Sequence, residues 1–145
     1  MSDENSIRAL VSGLNDELMA YQRLLNLLIE QYRLMSRHSS EELQVLNERE
    51  TQLLAILYQK AKYRSKILKQ LGFDATDKGM EKFIQTLPEK LQDKVDAVWK
   101  KIYHQLRLCQ AQNEQNSRLL ASQKDTLNRL LFGESDQDYS YLCQE

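Results

Sequence analysis

Residues 91–130 read LQDKVDAVWKKIYHQLRLCQAQNEQNSRLLASQKDTLNRL, and an apolar side chain recurs in this stretch at every third or fourth position. The apolar members of this line are Leu91, Val95, Val98, Ile102, Leu106, Cys109, Leu120, Leu127 and Leu130. Its polar members are Asn113, Asn116 and Gln123. Alternating steps of three and four are typical of a helix that lies along other helices, because they give a period of about 3.5 residues. The stretch therefore predicts one long helix with a polar interruption in its packed face.

The rest of the sequence also favours long helices. It contains only four glycines and one proline, and these residue types are the strongest helix breakers. Apolar stripes predict a first helix over residues 3–37 and a second over residues 40–71, separated by a break at His38. A third long helix is expected to open at Pro88, because proline is tolerated in a first helical turn, and to end near Phe132.

Short local signals mark the ends of these helices. Ser39, followed three residues later by Glu42, has the pattern of a capping box, and Gly72 is the expected terminator of the second helix. Within residues 72–87, Thr76 is expected to cap a short helix. We therefore expect an all-α fold: an elongated antiparallel helical bundle or coiled coil of three long helices, with a short helix between the second and third.

Length and composition predict one helical domain followed by a tail. A chain of 145 residues suits a single core, and we assign residues 1–133 to it. Residues 134–145 carry four acidic residues, no Lys or Arg, and no helical periodicity. A short acidic segment of this kind is expected to be mobile.

The charge balance excludes several classes of partner. A net charge of −1 argues against nucleic acid or an anionic membrane as the main target, because such binding depends on an excess of positive charge. No apolar run of 18 residues or more is present, so we expect no membrane insertion. The acidic, polar N-terminus has no apolar signal core, and the two cysteines, Cys109 and Cys143, suggest neither a disulfide framework nor a zinc site. We expect a cytoplasmic protein.

Nothing in the sequence predicts an enzyme. Neither His38 nor His104 has a Cys, Asp or Glu partner at metal-ligand spacing, and there is no glycine-rich phosphate loop. An active site needs several convergent polar groups. We therefore expect no catalytic residues, no cofactor and no metal.

One cation lies close to an apolar stripe. The basic residues of the segment 59–69 spread around the second helix, which is typical of a solvated face. Arg64 differs because it lies near the apolar line of that helix. We expect it to bridge to a polar group of the packed face or to Glu50, which also approaches the line.

Two features of the third long helix each allow two interpretations. Asn113 and Asn116 form either a polar layer that fixes helix register or an opening of the packed face toward a partner. The segment 117–132 carries a wide apolar face, which either packs in the core or offers a surface on which a foreign helix completes the bundle.

Taken together, these residues resemble the FlgN family of flagellar type III export chaperones. The resemblance depends on the end of the second helix, YRSKILKQLG at residues 63–72, and on the pattern Asn113-x-x-Asn116-x-x-Leu119-Leu120. About a dozen residues later come Leu131-Phe132-Gly133 and a polar tail with Tyr139. The asparagine and leucine pattern followed by Leu-aromatic-Gly is its specific part.

The resemblance implies a cytoplasmic, all-helical chaperone without catalysis or cofactor. Members of the family bind the C-terminal helical segments of the hook–filament junction (hook-associated) proteins and prevent their premature assembly. They deliver these clients to the export gate of the flagellum. We expect the client to bind through Asn113, Asn116, Leu119, Leu120, Leu127, Leu130, Leu131 and Phe132.

The resemblance also implies a contact with the cytoplasmic domain of the export gate. The aromatic residue of the Leu-aromatic-Gly motif carries this contact in the family, and here that position is Phe132, where members often have tyrosine. Tyr139 and Tyr141 are the alternative contacts.

Two other functions use the same apolar face. A structural coiled-coil protein would self-associate through it, and weak self-association is also compatible with a chaperone. A chaperone for another type III secretion client would have the same sequence features.

Overall fold

A computed structural model describes residues 2–132, and the regular structure within that range is entirely helical. The helices are α1 (Ser2–Ser36), α2 (Ser40–Gln70), α3 (Asp77–Gln85) and α4 (Glu89–Phe132). The all-α class is therefore confirmed, and the helix bounds lie within one or two residues of those predicted for the long helices. The acidic tail predicted over residues 134–145 lies outside the described residues.

The turn between α1 and α2 reverses the chain within three residues. His38 adopts a left-handed backbone conformation with φ of 58°, and the Ser39 amide donates to the Leu34 carbonyl at 3.1 Å. The predicted capping box is wrong, because the Ser39 side chain makes no cap hydrogen bond. Its backbone, at φ −85° and ψ 80°, is not in the extended conformation that aims an N-cap side chain at the first helical amides.

The signals around α3 are confirmed. Gly72 has φ of +89°, its amide donates to the Lys69 carbonyl at 3.0 Å, and the Phe73 amide donates to the Leu68 carbonyl at 2.9 Å. These two bonds form the Schellman motif that commonly closes a helix. At the start of α3, the Thr76 hydroxyl accepts a hydrogen bond from the Gly79 amide at 3.1 Å.

Helix α1 lies between the other two long helices. It packs along both α2 and α4, whereas α2 and α4 barely approach each other. Contacts from Asp16 to Lys60 and from Gln31 to Asn47 show that α2 runs antiparallel to α1. Helix α4 runs parallel to α1, because successive contacts between them keep the same difference in residue number.

The apolar core divides into two clusters along these helices. The first joins the start of α1, the end of α2, all of α3 and the start of α4; its buried members are Leu10, Leu14, Ile67, Leu68, Met80, Phe83, Ile84, Leu87, Val95 and Ile102. The second lies midway along the helices and comprises Ala20, Leu24, Leu28, Leu53, Leu57 and Cys109. Helix α3 covers the first cluster, and we call that end of the molecule the closed end.

Candidate functional site

The face of α4 that contacts α1 follows one column of residues spaced seven apart. Val95 and Ile102 begin this column within the closed-end cluster, and both are buried. Cys109, Asn116 and Gln123 continue it toward the far end of α4. The contact with α1 thus changes from apolar to polar partway along the helix.

Each of these three side chains donates a hydrogen bond to a main-chain carbonyl of α1. The bonds join Cys109 Sγ to the Tyr21 oxygen at 3.6 Å, Asn116 Nδ2 to the Leu28 oxygen at 2.8 Å, and Gln123 Nε2 to the Met35 oxygen at 2.7 Å. We call the three donors the polar seam. Because donors and acceptors both advance by seven residues, the seam fixes the register of α4 on α1.

Asn116 is the centre of the polar seam and is only 3% exposed. Its amide nitrogen also donates to Gln31 Oε1 at 2.8 Å, and its oxygen accepts from Gln112 Nε2 at 2.9 Å. Gln31 Nε2 in turn donates to Asn47 Oδ1 at 2.8 Å, so the network links α4, α1 and α2. The amide of Asn116 is therefore fully engaged within the chain.

Asn113 does not share this layer, although the sequence places both asparagines on one line. Its side chain is exposed, and its carbonyl accepts a hydrogen bond from the Ser117 hydroxyl at 3.0 Å. Three residues advance a helix by about 300°, so the two asparagines point in directions about 60° apart. With Asn116 directed at α1, Asn113 lies at the edge of the contact.

The leucines of the last turns of α4 are largely exposed. The exposed fractions are 56% for Leu120, 53% for Leu127, 77% for Leu130 and 65% for Leu131. Leu119 is half-buried, and Phe132 is the last described residue. We call residues 113–132 the distal α4.

Helix lengths explain the exposure of the leucines that follow Gln123. Gln123 reaches the Met35 carbonyl, and α1 ends one residue later at Ser36. Helix α4 continues to Phe132, about 13 Å farther at 1.5 Å per residue. The leucines beyond Gln123 therefore lie past the end of the helix on which α4 packs.

Arg64 has a partner that sequence reasoning did not identify. Its guanidinium forms an ion pair with Glu17 of α1 and lies 5.1 Å from the centre of the Trp99 ring on α4. Burial raises the pKa of Glu17, whose side chain is 1% exposed, while the charge and hydrogen bond of Arg64 oppose that rise. Glu17 lies three residues after Leu14 on the buried side of α1, and that spacing could have revealed it.

The predicted bridge from Arg64 to Glu50 is wrong. Helix packing brings Glu17, not Glu50, opposite Arg64. Glu50 Oε2 is enclosed and has no hydrogen-bond partner among the described residues, and burial raises the pKa of this carboxyl group.

The chemistry offered by the distal α4 is apolar contact. No group of three His, Cys, Asp or Glu side chains within residues 2–132 is arranged to hold a metal ion. In the same range, none of the helices combines the length and the apolar character needed to cross a lipid bilayer. Of the residues predicted to contact the export gate, Phe132 lies at the end of the described helix, while Tyr139 and Tyr141 lie outside the described residues.

Comparison with known proteins gives one finding. The sequence model of a family described as FlgN protein matches residues 1–132, which is most of the chain and confirms the resemblance. Neither the curated proteins nor the solved structures include a significant match.

Proposed function

This chain belongs to the FlgN family, and from this premise we propose that it is a cytoplasmic export chaperone for the hook-associated junction proteins of the bacterial flagellum. In this proposal the C-terminal helical segment of a client docks on the distal α4. The bound client segment cannot assemble prematurely, and the complex is delivered to the export gate.

The exposed leucines of the distal α4 carry this proposal. Leu120, Leu127, Leu130 and Leu131 are each more than half exposed on one ordered helix. An amphipathic client helix could bury them, and each leucine that becomes fully buried contributes about 1.5–3 kcal/mol before the costs of association. Those costs keep the binding reversible, as release at an export gate requires.

We propose different roles for the two asparagines. The amide of Asn116 already bonds to Leu28 and Gln31, so in our proposal it positions α4 and does not contact the client. Asn113 is exposed beside the leucines, and we assign it to the client. An amide there can bond to a client backbone or polar side chain.

We propose that the chain contacts the gate through Phe132. Phe132 follows the last leucine of the distal α4 and lies where the family motif has its aromatic residue. Phe132→Ala is expected to weaken binding to the cytoplasmic domain of the gate while client affinity stays unchanged. Replacing Tyr139 or Tyr141 by alanine tests the alternative contacts in the same assay.

Calorimetric titration with the C-terminal segment of a junction protein tests the client site. Leu127→Ser with Leu131→Ser is expected to weaken binding by about 30-fold or more, because two apolar contacts are lost. Leu54→Ser with Ile56→Ser is a matched control, since these α2 side chains are 46% and 49% exposed. Equal losses in both double variants would contradict the proposal.

The structural coiled-coil alternative uses the same leucines. Light scattering over a range of protein concentrations separates the two functions. A chaperone is expected to be monomeric or weakly associating without client, and to bind client in its monomeric form. An obligate oligomer that dissociates only when the distal leucines are replaced would favour the structural role.

A further inference from the structure

A second apolar groove lies between α1 and α4 near the closed end. Its volume is about 390 Å³, and its lining residues are Val11, Leu14, Asn15, Leu91, Lys94, Val95, Ala97, Val98 and Lys101. The floor is apolar, with buried Leu14 and Val95 and half-buried Val11, Leu91 and Val98 above them. None of the nine lining residues is acidic.

Helix α2 does not cover this groove. Trp99 marks the side of α4 that faces α2, because its ring stacks on Arg64. Lys94 and Lys101 lie about 140–160° around the helix from Trp99, given 100° per residue. The groove is therefore on the opposite side of α4, where α1 and α4 have no third long helix beside them in the described chain.

Two unpaired cations border the groove. Lys94 and Lys101 are exposed, stand seven residues apart on one edge of α4, and have no ion pair within residues 2–132. By contrast, the neighbouring Lys100 pairs with Asp96 at 2.8 Å. The groove thus combines an apolar floor with a positively charged edge, which selects for the opposite charge in whatever covers it.

We propose that this groove binds an amphipathic helix of another protein whose apolar stripe is bordered by Asp or Glu. Parallel ridges of α1 and α4 are the surface on which a further helix packs most readily. Acidic side chains seven residues apart on that helix would face Lys94 and Lys101, since both helices share one period. The occupant completes the bundle at the closed end.

This site is separate from the one proposed for the client. Lys101 and Leu127 are 26 residues apart in one continuous helix, which is roughly 40 Å. An occupant of the groove therefore does not compete with a segment on the distal α4. Substitutions at one site are therefore expected to leave binding at the other site unchanged.

Fluorescence anisotropy with synthetic helical peptides tests the proposal on the full chain. The probe is a labelled peptide of about three heptads with a leucine stripe bordered by glutamates, compared with versions bordered by glutamines or lysines. The glutamate peptide is expected to bind saturably, and the glutamine peptide to bind more weakly. The affinity for the glutamate peptide should fall as salt is added. Absence of binding by the glutamate peptide would overturn the proposal.

Two variants locate the binding. Ala97→Trp fills the groove from an exposed position and is expected to lower the affinity for the glutamate peptide by about tenfold. Ala111→Trp is the control, because Ala111 is exposed on the same helix outside the groove, and it should leave that affinity unchanged. The double variant Lys94→Glu with Lys101→Glu is expected to bind the lysine peptide more tightly than the glutamate peptide. Circular dichroism and melting temperature verify that each variant is folded.

Three outcomes would assign the groove or the peptide differently and overturn the proposal. The first is equal weakening by Ala97→Trp and Ala111→Trp. The second is loss of peptide binding in Leu127→Ser with Leu131→Ser, which would place the peptide on the distal α4. The third is evidence that the occupant is this chain itself. That evidence would be a rise in peptide affinity when the acidic residues of 134–145 are neutralised, or a fall in oligomer mass with Ala97→Trp.

Discussion

The two ends of α4 lie on the same partner helix but are held by different forces. At the closed end, Val95 and Ile102 pack into a cluster that α3 covers. Toward the other end, Asn116 and Gln123 occupy the same column and bond to carbonyls of α1. The closed end buries Val95 and Ile102, whereas the other end leaves most of its leucines exposed.

The difference shows how α4 can be held on α1 while apolar side chains of the same helix stay exposed. An apolar face packed on α1 would have drawn the distal leucines toward the same contact. Polar donors fix the register with directional bonds, whose net contribution is only about 1 kcal/mol each. The apolar side chains on neighbouring columns of the distal α4 then remain exposed.

The largest expected effect contrasts one side chain from each end. Phe83→Ala removes a ring that is 1% exposed in the closed-end cluster and should lower the free energy of unfolding by about 3–5 kcal/mol. Leu130→Ala, at a side chain that is mostly exposed, should change it by less than about 0.5 kcal/mol. Urea unfolding followed by circular dichroism gives both values. A comparable loss for Leu130→Ala would mean that the distal α4 is part of the core.

The next effect concerns the point where α2 and α4 meet. Arg64→Ala leaves the buried carboxylate of Glu17 without its cation and should cost about 3 kcal/mol of unfolding free energy at neutral pH. Arg8→Ala is the control, because its pair with Glu4 is exposed and contributes little. Chemical unfolding measures both.

The pH dependence of that loss separates charge from packing. Burial raises the pKa of Glu17, so the folded state holds its proton more tightly than the unfolded state. The cost of the unpaired carboxylate is therefore present at neutral pH and disappears below the ordinary carboxyl pKa. Adding Glu17→Gln to Arg64→Ala should recover most of the stability. A pH-independent loss without recovery would assign Arg64 to packing against Trp99 alone.

A smaller effect is expected at Cys109, where the contact between α4 and α1 changes from apolar to polar. Burial raises the pKa of Cys109 to about 11, above its ordinary value near 9. A thiol with a raised pKa in the folded state contributes stability that is lost as pH rises from the unfolded to the folded value. Relative to Cys109→Ala, the wild type should therefore lose about 2 kcal/mol between pH 9 and 11. An unchanged difference across this range would show that the thiol is open to solvent.

The smallest effect compares the two asparagines. Asn116→Ala removes the donor to the Leu28 carbonyl and to Gln31 and should cost about 1–2 kcal/mol, since the hydrogen bonds of a buried amide are lost. Asn113→Ala, at an exposed side chain, should change stability by less than about 0.5 kcal/mol but weaken client binding. Thermal unfolding and client titration measure the two readouts. Equal loss of stability in both variants would place Asn113 in the packed layer.

Much of the fold could be predicted because it depends on local rules. The scarcity of glycine and proline, the apolar stripes and the Gly72 and Thr76 signals place the helices within a residue or two. The capping box at Ser39 could not be excluded from sequence, because His38 sets the turn through a left-handed backbone conformation. The resemblance to the FlgN family depends on the motifs at residues 63–72, 113–120 and 131–133, and the sequence model of that family matches residues 1–132.

The order of residues is enough to specify that α4 is a long helix with asparagine and glutamine on an otherwise apolar line. Helix packing, by contrast, is what turns Asn116 toward α1 and Asn113 toward solvent, and what brings Glu17 opposite Arg64. The reason is that a period of three or four residues defines a stripe about two columns wide. Which column faces the neighbour, and where that neighbour ends, follow from how whole helices pack against one another.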